Sequence, residues 1–428
     1  MTDAALPSTE RAWRGGWRDG ISYGGLGLPL AFVELPLYVL LPNYYASQYR
    51  VPLALLGALL LGARLLDAIA DPFIGHWADA LFARSPGQAF RWLAYAAIGL
   101  AVGFRALFFP PMSGGNALLV WCAVGLAVTY LSFSTVMVIH QAWGARLAGD
   151  EVQRAQIVGW RESLALAGVM VASGLRSLTS LELSTWAFAG LLLAGVALLA
   201  RAPRTGKPWI KRPRVSMRLP WTTPAFRRLL AIYLFNGIAS AVPATLVLFF
   251  IQDRLEAPSY QSLFLGSYFA AAAVSIPLWL RLVTRFGLAR TWLIAMILAV
   301  VTFAWATQLG AGEVVGFTIV CLTSGVALGA DLTLPSAMLT GVIQRAGHGQ
   351  HAEGSYLGWW SFATKLNLAL AAGLALPVLQ AFGYAAGVRE AGALAALSAA
   401  YCLLPCGLKL VAAAILYFRW IRIGEGDA

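Results

Sequence analysis

Arg64-Leu-Leu-Asp67-Ala-Ile-Ala-Asp71-Pro72-Phe-Ile-Gly75-His-Trp-Ala-Asp79 is the stretch that decides how this chain folds, because it places charges in a segment apolar enough to enter a bilayer. On an α-helix, Arg64, Asp67, Asp71 and Gly75 fall within an arc of roughly 80° and share one face. Each charge costs about 2.5–3.5 kcal/mol at the centre of a membrane. In a helix that carries three such charges, each charge must form an ion pair, contact water or bind a ligand.

The composition is that of an integral membrane protein. Hydrophobic residues make up 59% of the 428 residues and charged residues 12%, about half the charged share of a typical soluble domain. Apolar runs of about twenty residues, each long enough to cross a bilayer, recur along the whole chain. The basic residues behind the net charge of +12 lie between these runs, as in cytoplasmic loops. The sequence therefore predicts an all-α protein whose partner is the lipid bilayer and not a nucleic acid.

The apolar runs predict about twelve transmembrane helices in two halves of six. The longest polar stretch, residues 201–224, is basic and predicts a cytoplasmic linker between an N-terminal bundle, 1–200, and a C-terminal bundle, 225–428. The predicted helices cover about 22–42, 52–75, 92–110, 117–143, 161–179, 185–200, 227–250, 261–281, 291–309, 314–340, 355–380 and 393–418. This layout resembles the major facilitator superfamily, whose halves rock about a site near the membrane midplane. The basic loops, and a polar N-terminus without a signal-peptide core, predict a multi-pass plasma (inner) membrane protein with both termini cytoplasmic.

Asp67 and Asp71 are the strongest candidates for a binding site. Like charges at positions i and i+4 repel unless a cation lies between them. Two carboxylates on one face suit Na⁺ or Li⁺, or the holding of a proton. We therefore expect a cation site here, with H⁺ or Na⁺ as the coupling ion. Arg64 either neutralises Asp67 one turn away or serves as a counter-ion of the site.

Only four lysines occur in the chain, and two of them, Lys365 and Lys409, lie in predicted spans. A lysine inside a membrane is a functional-site hypothesis by default. Lys365 is the candidate internal counter-ion, which pairs with Asp67 or Asp71 when no cation is bound. Lys409 has about ten further helical residues after it, so its ammonium is expected to reach the cytoplasmic surface by snorkelling.

Further polar residues in the spans are candidates for a substrate cavity. Glu34 lies between Pro29 and Pro36, which predicts a bent, cavity-lining helix, and Asp331 precedes Pro335, which frees a backbone carbonyl. The remaining candidates on this basis are Asn236, Asn367 and His140. His140 has an alternative role in organising a cytoplasmic loop. Gly75 and Asp79 are expected to form a gating loop on that side.

Three stretches resemble the glycoside–pentoside–hexuronide:cation symporter family. The first is Arg-x-x-Asp-Ala-x-x-Asp-Pro-x-x-Gly, met by Arg64, Asp67, Ala68, Asp71, Pro72 and Gly75. The second is His140-Gln-Ala-Trp143-Gly144-Ala-Arg-Leu with Gly159-Trp160-Arg161-Glu162. The third is Glu353-Gly354-Ser-Tyr356-x-Gly358-x-Trp360, leading to Lys365. Together they cover both halves of the chain.

The resemblance implies cation-coupled uptake of a sugar or a similar small solute. It implies that Asp67 and Asp71 hold the cation, that Lys365 lies beside them, and that Arg161 faces the substrate cavity. Two departures from the family pattern matter. Ala70 stands where the melibiose permease has an asparagine, which removes a Na⁺ ligand and favours H⁺. Residues 116–145 contain no acid, so Ser132, Ser134 and Thr135 are the polar groups available on the fourth helix.

The leading interpretation is a secondary symporter working by alternating access, since coupling needs no catalytic chemistry, only ligands that stabilise the same states. An enzyme is not expected, because the chain carries neither His-Glu-x-x-His nor Gly-x-Ser-x-Gly and has four histidines in all. We expect no cofactor, no structural metal and function as a monomer. The alternative is a lipid or lysolipid transporter or flippase of the same fold, which the lack of acids on the fourth helix would suit.

Overall fold

The computed structural model describes residues 13–51, 53–112, 114–147, 149–178, 180–203, 216–381, 383–384 and 390–422. These described residues are helical throughout, apart from short connections, and contain no strand. We number the transmembrane helices α1 to α12 in chain order. Over the described residues the fold is the predicted one: an all-α membrane protein of twelve helices in two halves, α1–α6 and α7–α12.

The N-terminal half begins with an interrupted helix. α1 consists of Trp17–Gly24, Gly27–Leu35, the π-helical turn Pro36–Leu40 and Leu41–Gln48. The turn begins at Pro36, whose missing N–H removes a helical hydrogen bond, so Glu34 lies just before an irregular segment, as expected. The other five helices are α2 (Leu53–Arg84), α3 (Pro86–Phe108), α4 (Gly115–Leu147), α5 (Glu151–Leu178) and α6 (Leu181–Ala200).

The C-terminal half follows a short helix, Leu219–Thr222. Its helices are α7 (Pro224–Arg254), α8 and α9 (together Gln261–Ala306), α10 (Val314–Arg345), α11 (Glu353–Ala381) and α12 (Ala391–Ile421). α8 passes into α9 at Gly287, whose φ of 75° is a conformation that favours glycine. Much of the predicted linker, residues 204–215, lies outside the described residues, and the domain boundaries stay a prediction.

Seven helical ranges of the described chain are long and apolar enough to cross a membrane by composition. One of them, Pro258–Ala306, contains both α8 and α9. The ranges that fall short include α2, α5 and α11, which carry the buried charges described below. Buried charges do not always have this effect, because α10 and α12, which carry Asp331 and Lys409, are among the seven ranges.

Two helices extend furthest beyond their predicted ends. α2 continues nine residues past the predicted end at 75, and α5 begins ten residues before the predicted start at 161. The added turns are polar, so a hydropathy pattern does not report them. They project beyond the apolar zone and carry Asp79 and Glu151 to the other half of the molecule.

The halves contact each other along α2 with α11, α5 with α8 and α10, and α4 with α11. The closest approach is between backbones: a β-carbon on Gly75 of α2 would lie 2.0 Å from the carbonyl oxygen of Gly354 of α11. Within the N-terminal half, a β-carbon on Gly27 of α1 would lie 2.7 Å from the carbonyl oxygen of Arg161 on α5. Glycine at these positions lets the helices that carry the candidate site residues pack at short distance.

Candidate functional site

Lys365 of α11 joins the two carboxylates of α2. Its Nζ lies 2.6 Å from Asp67 Oδ2 and 2.8 Å from Asp71 Oδ2, and it donates to Asp71 Oδ1 at 2.9 Å. Ser134 of α4 completes the group: its hydroxyl donates to Asp67 Oδ1 at 2.6 Å and lies 2.8 Å from the ammonium. We call Asp67, Asp71, Ser134 and Lys365 the interface cluster, because it bridges the two halves.

The interface cluster is nearly closed to solvent, and its formal charges do not cancel. The side chains of Asp67 and Asp71 are 4% and 0% exposed, and that of Lys365 is 19% exposed. Two ionised carboxylates and one ammonium carry a net charge of −1. Such an imbalance is costly in a low-dielectric interior, so the arrangement can accept one more monovalent cation, either a proton or a metal ion bound by hard oxygen atoms. The described residues contain no group of three or more His, Cys, Asp and Glu placed to hold a metal ion.

Arg64 lies one turn from Asp67 on the more exposed part of α2. Its guanidinium is beside the hydroxyl of Tyr130 on α4, and the charges of Asp67 and Glu34 also reach that hydroxyl. Arg64 therefore belongs to the surroundings of the interface cluster.

A second lysine–carboxylate group lies within the C-terminal half. Lys409 Nζ of α12 lies 2.7 Å from Asp331 Oδ2 of α10 and 2.8 Å from Asn236 Oδ1 of α7. Asp331 also accepts hydrogen bonds from Asn236 Nδ2 at 3.1 Å, Trp292 Nε1 at 2.8 Å and Ser240 Oγ at 3.3 Å. We call these five residues the C-half cluster.

The expectation that Lys409 snorkels to the surface is wrong. Its side chain is 3% exposed and points into the protein. The physical reason is that Asp331 offers a carboxylate within reach, so the ammonium is neutralised without leaving the helix bundle. The predicted cavity candidates Asn236 and Asp331 are thus brought together, in a cluster whose formal charges cancel.

Glu34 and Arg161 lie on neighbouring helices of the N-terminal half. The charges of Glu162, Lys365 and Asp67 act on the Glu34 carboxyl. Arg161 donates from Nε and Nη2 to Glu162 Oε1 at 3.0 and 2.6 Å. Its guanidinium also reaches the hydroxyl of Tyr23 on α1.

The other four predicted cavity residues lie against neighbouring backbone or helices. Ser132 Oγ is 2.8 Å from the position that a β-carbon of Gly99 on α3 would take, and Thr135 Oγ1 donates to the carbonyl of Leu131 at 2.8 Å. His140 Nε2 is 2.8 Å from the carbonyl oxygen of Tyr23. Asn367 of α11 packs against Gly237 of α7, where its amide nitrogen would be 1.9 Å from an added β-carbon.

The prediction that Gly75 and Asp79 lie in a loop is wrong, because both residues belong to the helix Leu53–Arg84. From that helix, Asp79 forms a polar lock between the halves. Asp79 accepts three hydrogen bonds from the first turn of α11, each of 2.7 Å: from Gly354 N, Ser355 N and Ser355 Oγ. Nη2 of Arg146, at the end of α4, lies 3.2 Å from Asp79 Oδ1 and 3.0 Å from Glu353 Oε2. Because the N-terminus of a helix attracts negative charge, Asp79 binds α11 through both its dipole and its N–H groups. We call the end of the molecule that carries this lock the clamp end.

A second contact at the clamp end has a similar design. Glu151 at the start of α5 accepts a hydrogen bond of 3.2 Å from the backbone N–H of Leu288, which follows Gly287 at the start of α9. Nearby, the Tyr356 hydroxyl lies 2.8 Å from Nδ1 of His348, in the loop between α10 and α11. Burial lowers the pKa of His348, as does the neighbouring His351. The neutral ring suits a hydrogen bond with Tyr356.

Sequence reasoning assigned no role to several residues that the structure places in these groups. Arg146 and Glu353 lie within the quoted family stretches, but nothing in the sequence pairs them with Asp79. In the sequence, Glu162 stands out only as the neighbour of Arg161. The feature that could have identified Glu162 is an acidic residue within a predicted span, next to an arginine that is a candidate for the substrate cavity.

A twelve-helix bundle in two halves, with a charged cluster between them, is the architecture of a major facilitator superfamily transporter. The family model described as MFS/sugar transport protein matches residues 20–424, so the chain belongs to that family. The fold is shared with a bacterial homologue of the iron transporter ferroportin, with a TM-score of 0.72, 14% identity and coverage of 96% of this chain and 100% of that chain. It is also shared with FucP, with a TM-score of 0.67, 13% identity and coverage of 94% and 98%.

Curated relatives confirm the family resemblance drawn from the sequence. The chain is 26% identical to the inner membrane symporter YicJ of Escherichia coli (strain K12) over 306 residues, 67% of this chain and 65% of YicJ. It is 24% identical to the isoprimeverose transporter of Lactiplantibacillus pentosus over 445 residues, 95% and 89% of the two chains. A 158-residue match to the putative glycoside/cation symporter YagG of Escherichia coli (strain K12) is 27% identical and covers 37% of this chain and 34% of YagG.

Proposed function

We propose that this protein is a secondary transporter that couples H⁺ or Na⁺ to the symport of a sugar or glycoside by alternating access. The observation that carries the proposal is the interface cluster, in which Lys365 of one half lies within 2.8 Å of carboxylate oxygens of Asp67 and Asp71 of the other. The names of the relatives, among them a symporter and an isoprimeverose transporter, support the substrate class.

Each residue of the interface cluster has a role in this scheme. Asp67 and Asp71 bind the coupling cation, and Lys365 is the counter-ion that occupies their oxygen atoms when the cation is absent. Cation binding releases the ammonium and changes the contact between α2 and α11, the helices that also meet at Gly75 and Gly354. A solute that favours the same arrangement raises the affinity for the cation. By linkage, the cation raises the affinity for the solute by the same factor. Ala70, which contributes no oxygen ligand, favours H⁺ over Na⁺.

The clamp end is the cytoplasmic end in this proposal, with both chain termini on that side of a bacterial inner membrane. The polar lock of Asp79, Arg146 and Glu353 then closes the cytoplasmic exit. Opening requires Asp79 to give up three hydrogen bonds to α11, and this is the gating role proposed for Gly75 and Asp79. The protein works as a monomer, since both halves of the site come from one chain, and it needs no cofactor besides the coupling ion.

Proteoliposomes test this function directly. The purified protein is reconstituted and supplied with radiolabelled isoprimeverose, melibiose or methyl xyloside under a Na⁺ or a H⁺ gradient. We expect accumulation above the external concentration that collapses when an ionophore dissipates the matching gradient. Uptake that is the same with and without the Na⁺ and H⁺ gradients would refute the coupling of sugar transport to either cation. Saturable transfer of lysolipid without uptake of any sugar would instead favour the lipid-transport alternative.

A further inference from the structure

A small cavity at the clamp end lies between the two halves of the molecule. α1, α4 and α5 of the N-terminal half and α10 and α11 of the C-terminal half contribute to its wall. It has room for about one particle close to a water molecule in size. The polar side chains in the wall are those of Tyr23, Gln141, Arg154, Arg161, Ser336 and Thr340. The cavity therefore suits a single small polar ligand that touches both halves.

The wall of this cavity offers two positive charges and several hydrogen-bond donors. Arg154 and Arg161 are 8% and 9% exposed, so solvent and salt screen their charges little. Among the described residues that line the cavity, none is Asp or Glu. The end of α10, residues 332–345, also contains no acid. A concave site lined by one sign of charge attracts ions of the opposite sign, so the cavity favours an anion.

Each of the two arginines has a glutamate neighbour on α5 that does not line the cavity. Arg161 Nη2 lies 2.6 Å from Glu162 Oε1. Arg154 Nη2 lies 4.0 Å from Glu151 Oε1, which is beyond hydrogen-bond distance. Arg154 Nη1 donates to Gln344 Oε1 of α10 at 3.0 Å, and this acceptor is neutral. Glu162 therefore offsets the charge of Arg161 more fully than Glu151 offsets that of Arg154.

Arg154 is held in position against the C-terminal half. A β-carbon on Gly341 of α10 would lie 3.0 Å from Arg154 Nη1, so the guanidinium packs directly on α10. The hydrogen bond to Gln344 fixes it to the same helix. There, Thr340 Oγ1 donates to the carbonyl of Ser336 at 3.1 Å, and a hydroxyl can rotate to serve another acceptor. A fixed cation of one half and hydroxyls of the other thus face one cavity.

We infer that this cavity binds one small monovalent anion, such as chloride, which accepts hydrogen bonds from Arg154 and from a hydroxyl of α10. Hydrogen bonds between ionised groups are stronger than neutral ones, and a fixed donor binds at a lower entropic cost than a mobile one. A tetrahedral anion such as phosphate is too large for the space. The bound ion contacts both halves, so it favours the conformation in which the clamp end is closed. Only this effect on closure rests on the proposed transport cycle.

Chloride binding is measured on the full-length protein in detergent, by the line width of the chloride NMR signal and by thermal unfolding. Sodium chloride is compared with sodium gluconate at equal Na⁺ concentration, so that a Na⁺ site is filled equally in both. We expect the protein to broaden the chloride signal and bromide to reverse the broadening. The unfolding midpoint should rise with chloride concentration and saturate. Phosphate should not reverse the broadening.

Three variants locate the ion. Arg154→Gln removes the charge, Arg154→Lys keeps it, and Thr340→Val removes only a hydroxyl of the α10 wall. Loss of a hydrogen bond to a charged group should weaken chloride affinity roughly 10- to 100-fold in Arg154→Gln, and less in the other two. The control is Arg105→Gln, because Arg105 pairs with Glu182 and does not line the cavity. Each variant is judged by the chloride-dependent part of its unfolding midpoint, which a general loss of stability does not change.

The effect on closure is measured separately, by alkylation of Leu357→Cys, an apolar position of the cavity wall on α11. Alkylation should be slower in chloride than in gluconate, because the ion keeps the clamp end closed. Adding Arg154→Gln should remove the difference. The four native cysteines are buried, and the protein without Leu357→Cys gives their background rate. Equal rates in chloride and gluconate would overturn the effect on closure.

The absence of both line broadening and a midpoint shift in the wild type would overturn the inference, whether or not the protein transports a sugar. Unchanged chloride affinity in both Arg154→Gln and Thr340→Val would also overturn it, because the ion would then lie elsewhere. Competition by phosphate as strong as that by bromide would place the anion on an open surface and not in this cavity. Failure of the proposed function has a different result, the loss of coupled uptake with intact chloride binding.

Discussion

The interface cluster and the C-half cluster use the same chemical groups for different ends. In the first, one lysine faces two aspartates, the net charge is −1, and the partners come from both halves of the molecule. In the second, one lysine faces one aspartate, the charges cancel, and the members all come from α7, α9, α10 and α12. The Lys365 side chain is 19% exposed, whereas that of Lys409 is 3% exposed.

The difference teaches how to tell a functional buried charge from a structural one. Asp331 has a donor for each of its oxygen atoms and no unbalanced charge, so nothing is gained by adding or removing an ion. The four residues of the interface cluster carry a formal charge of −1 when both carboxylates are ionised, and they join the two halves that move apart in the proposed alternating access. We therefore propose coupling as the role of the interface cluster and cohesion of the C-terminal half as the role of the C-half cluster.

The largest effect on stability is expected for Lys409→Met. This change removes the charge with little loss of volume and leaves the Asp331 carboxylate buried with neutral donors only. Breaking a buried ion pair from one side costs about 3–5 kcal/mol, so the thermal unfolding midpoint should fall sharply. The double variant Asp331→Asn with Lys409→Met should recover most of the loss. If Lys409→Met unfolds like the wild type, the cohesive role of the C-half cluster is wrong.

Asp71→Asn should change transport more than stability. It makes the interface cluster neutral, like the C-half cluster, and removes a ligand of the proposed cation site. We expect accumulation against a gradient to be lost while the protein stays folded, with a smaller drop in unfolding temperature than in Lys409→Met. Uptake in proteoliposomes and unfolding of the same preparation measure both quantities. Accumulation at the wild-type rate would remove Asp71 from the cation site.

Lys365→Ala should sharpen the distinction between the two lysines. It leaves Asp67 and Asp71 with a charge of −2 and no competing ammonium, so the bound cation should be held more tightly and released less readily. Solute uptake should either stop or no longer depend on the cation gradient. The cation should raise the thermal unfolding temperature of this variant by more than it raises that of the wild type. Normal coupled transport in this variant would exclude the counter-ion role of Lys365.

A smaller effect is expected at the clamp end from Gly75→Ala. The added β-carbon would lie 2.0 Å from the carbonyl oxygen of Gly354, so α2 and α11 must separate; overpacking of this kind costs about 1–3 kcal/mol. The matched control is Gly62→Ala on the same helix, where nothing lies within 4 Å. Alkylation of a cysteine placed at Ser336, which lines a small cavity at the clamp end between the halves, should be faster in Gly75→Ala than in Gly62→Ala. Equal rates would mean that this contact does not close the clamp end.

The sequence predicted the helical membrane fold because apolar runs of membrane length leave few alternatives. It also singled out Asp67, Asp71 and Lys365, because charges inside a span are costly and must have partners. The structure brings these three side chains into contact, and their roles in coupling remain predictions. The spacing of the two aspartates on α2 and the rarity of lysine in the spans both indicate the same site.

Partners on distant helices could not be read from the sequence in the same way. Asp331 and Lys409 are 78 residues apart, and the rotation of α10 relative to α12 depends on packing that no periodicity reports. The same holds for Arg146, whose partners Asp79 and Glu353 lie on α2 and α11. The polar turns that extend α2 and α5 cannot be predicted from hydropathy, because hydropathy reports which residues are apolar enough for the membrane and not where a helix ends.

The most direct test of the central claim is the cation dependence of thermal unfolding, measured with Na⁺, Li⁺ and K⁺ and across pH. The wild type is compared with Asp67→Asn and Asp71→Asn, and Asp331→Asn is the matched control. A ligand at 100 times its dissociation constant stabilises the folded state by about 2.7 kcal/mol, which is readily seen. We predict a shift with Na⁺ or Li⁺, or with protons, that disappears in both interface variants and persists in Asp331→Asn. A shift that survives in the interface variants, or no shift in the wild type, would contradict the assignment of the interface cluster as the coupling site.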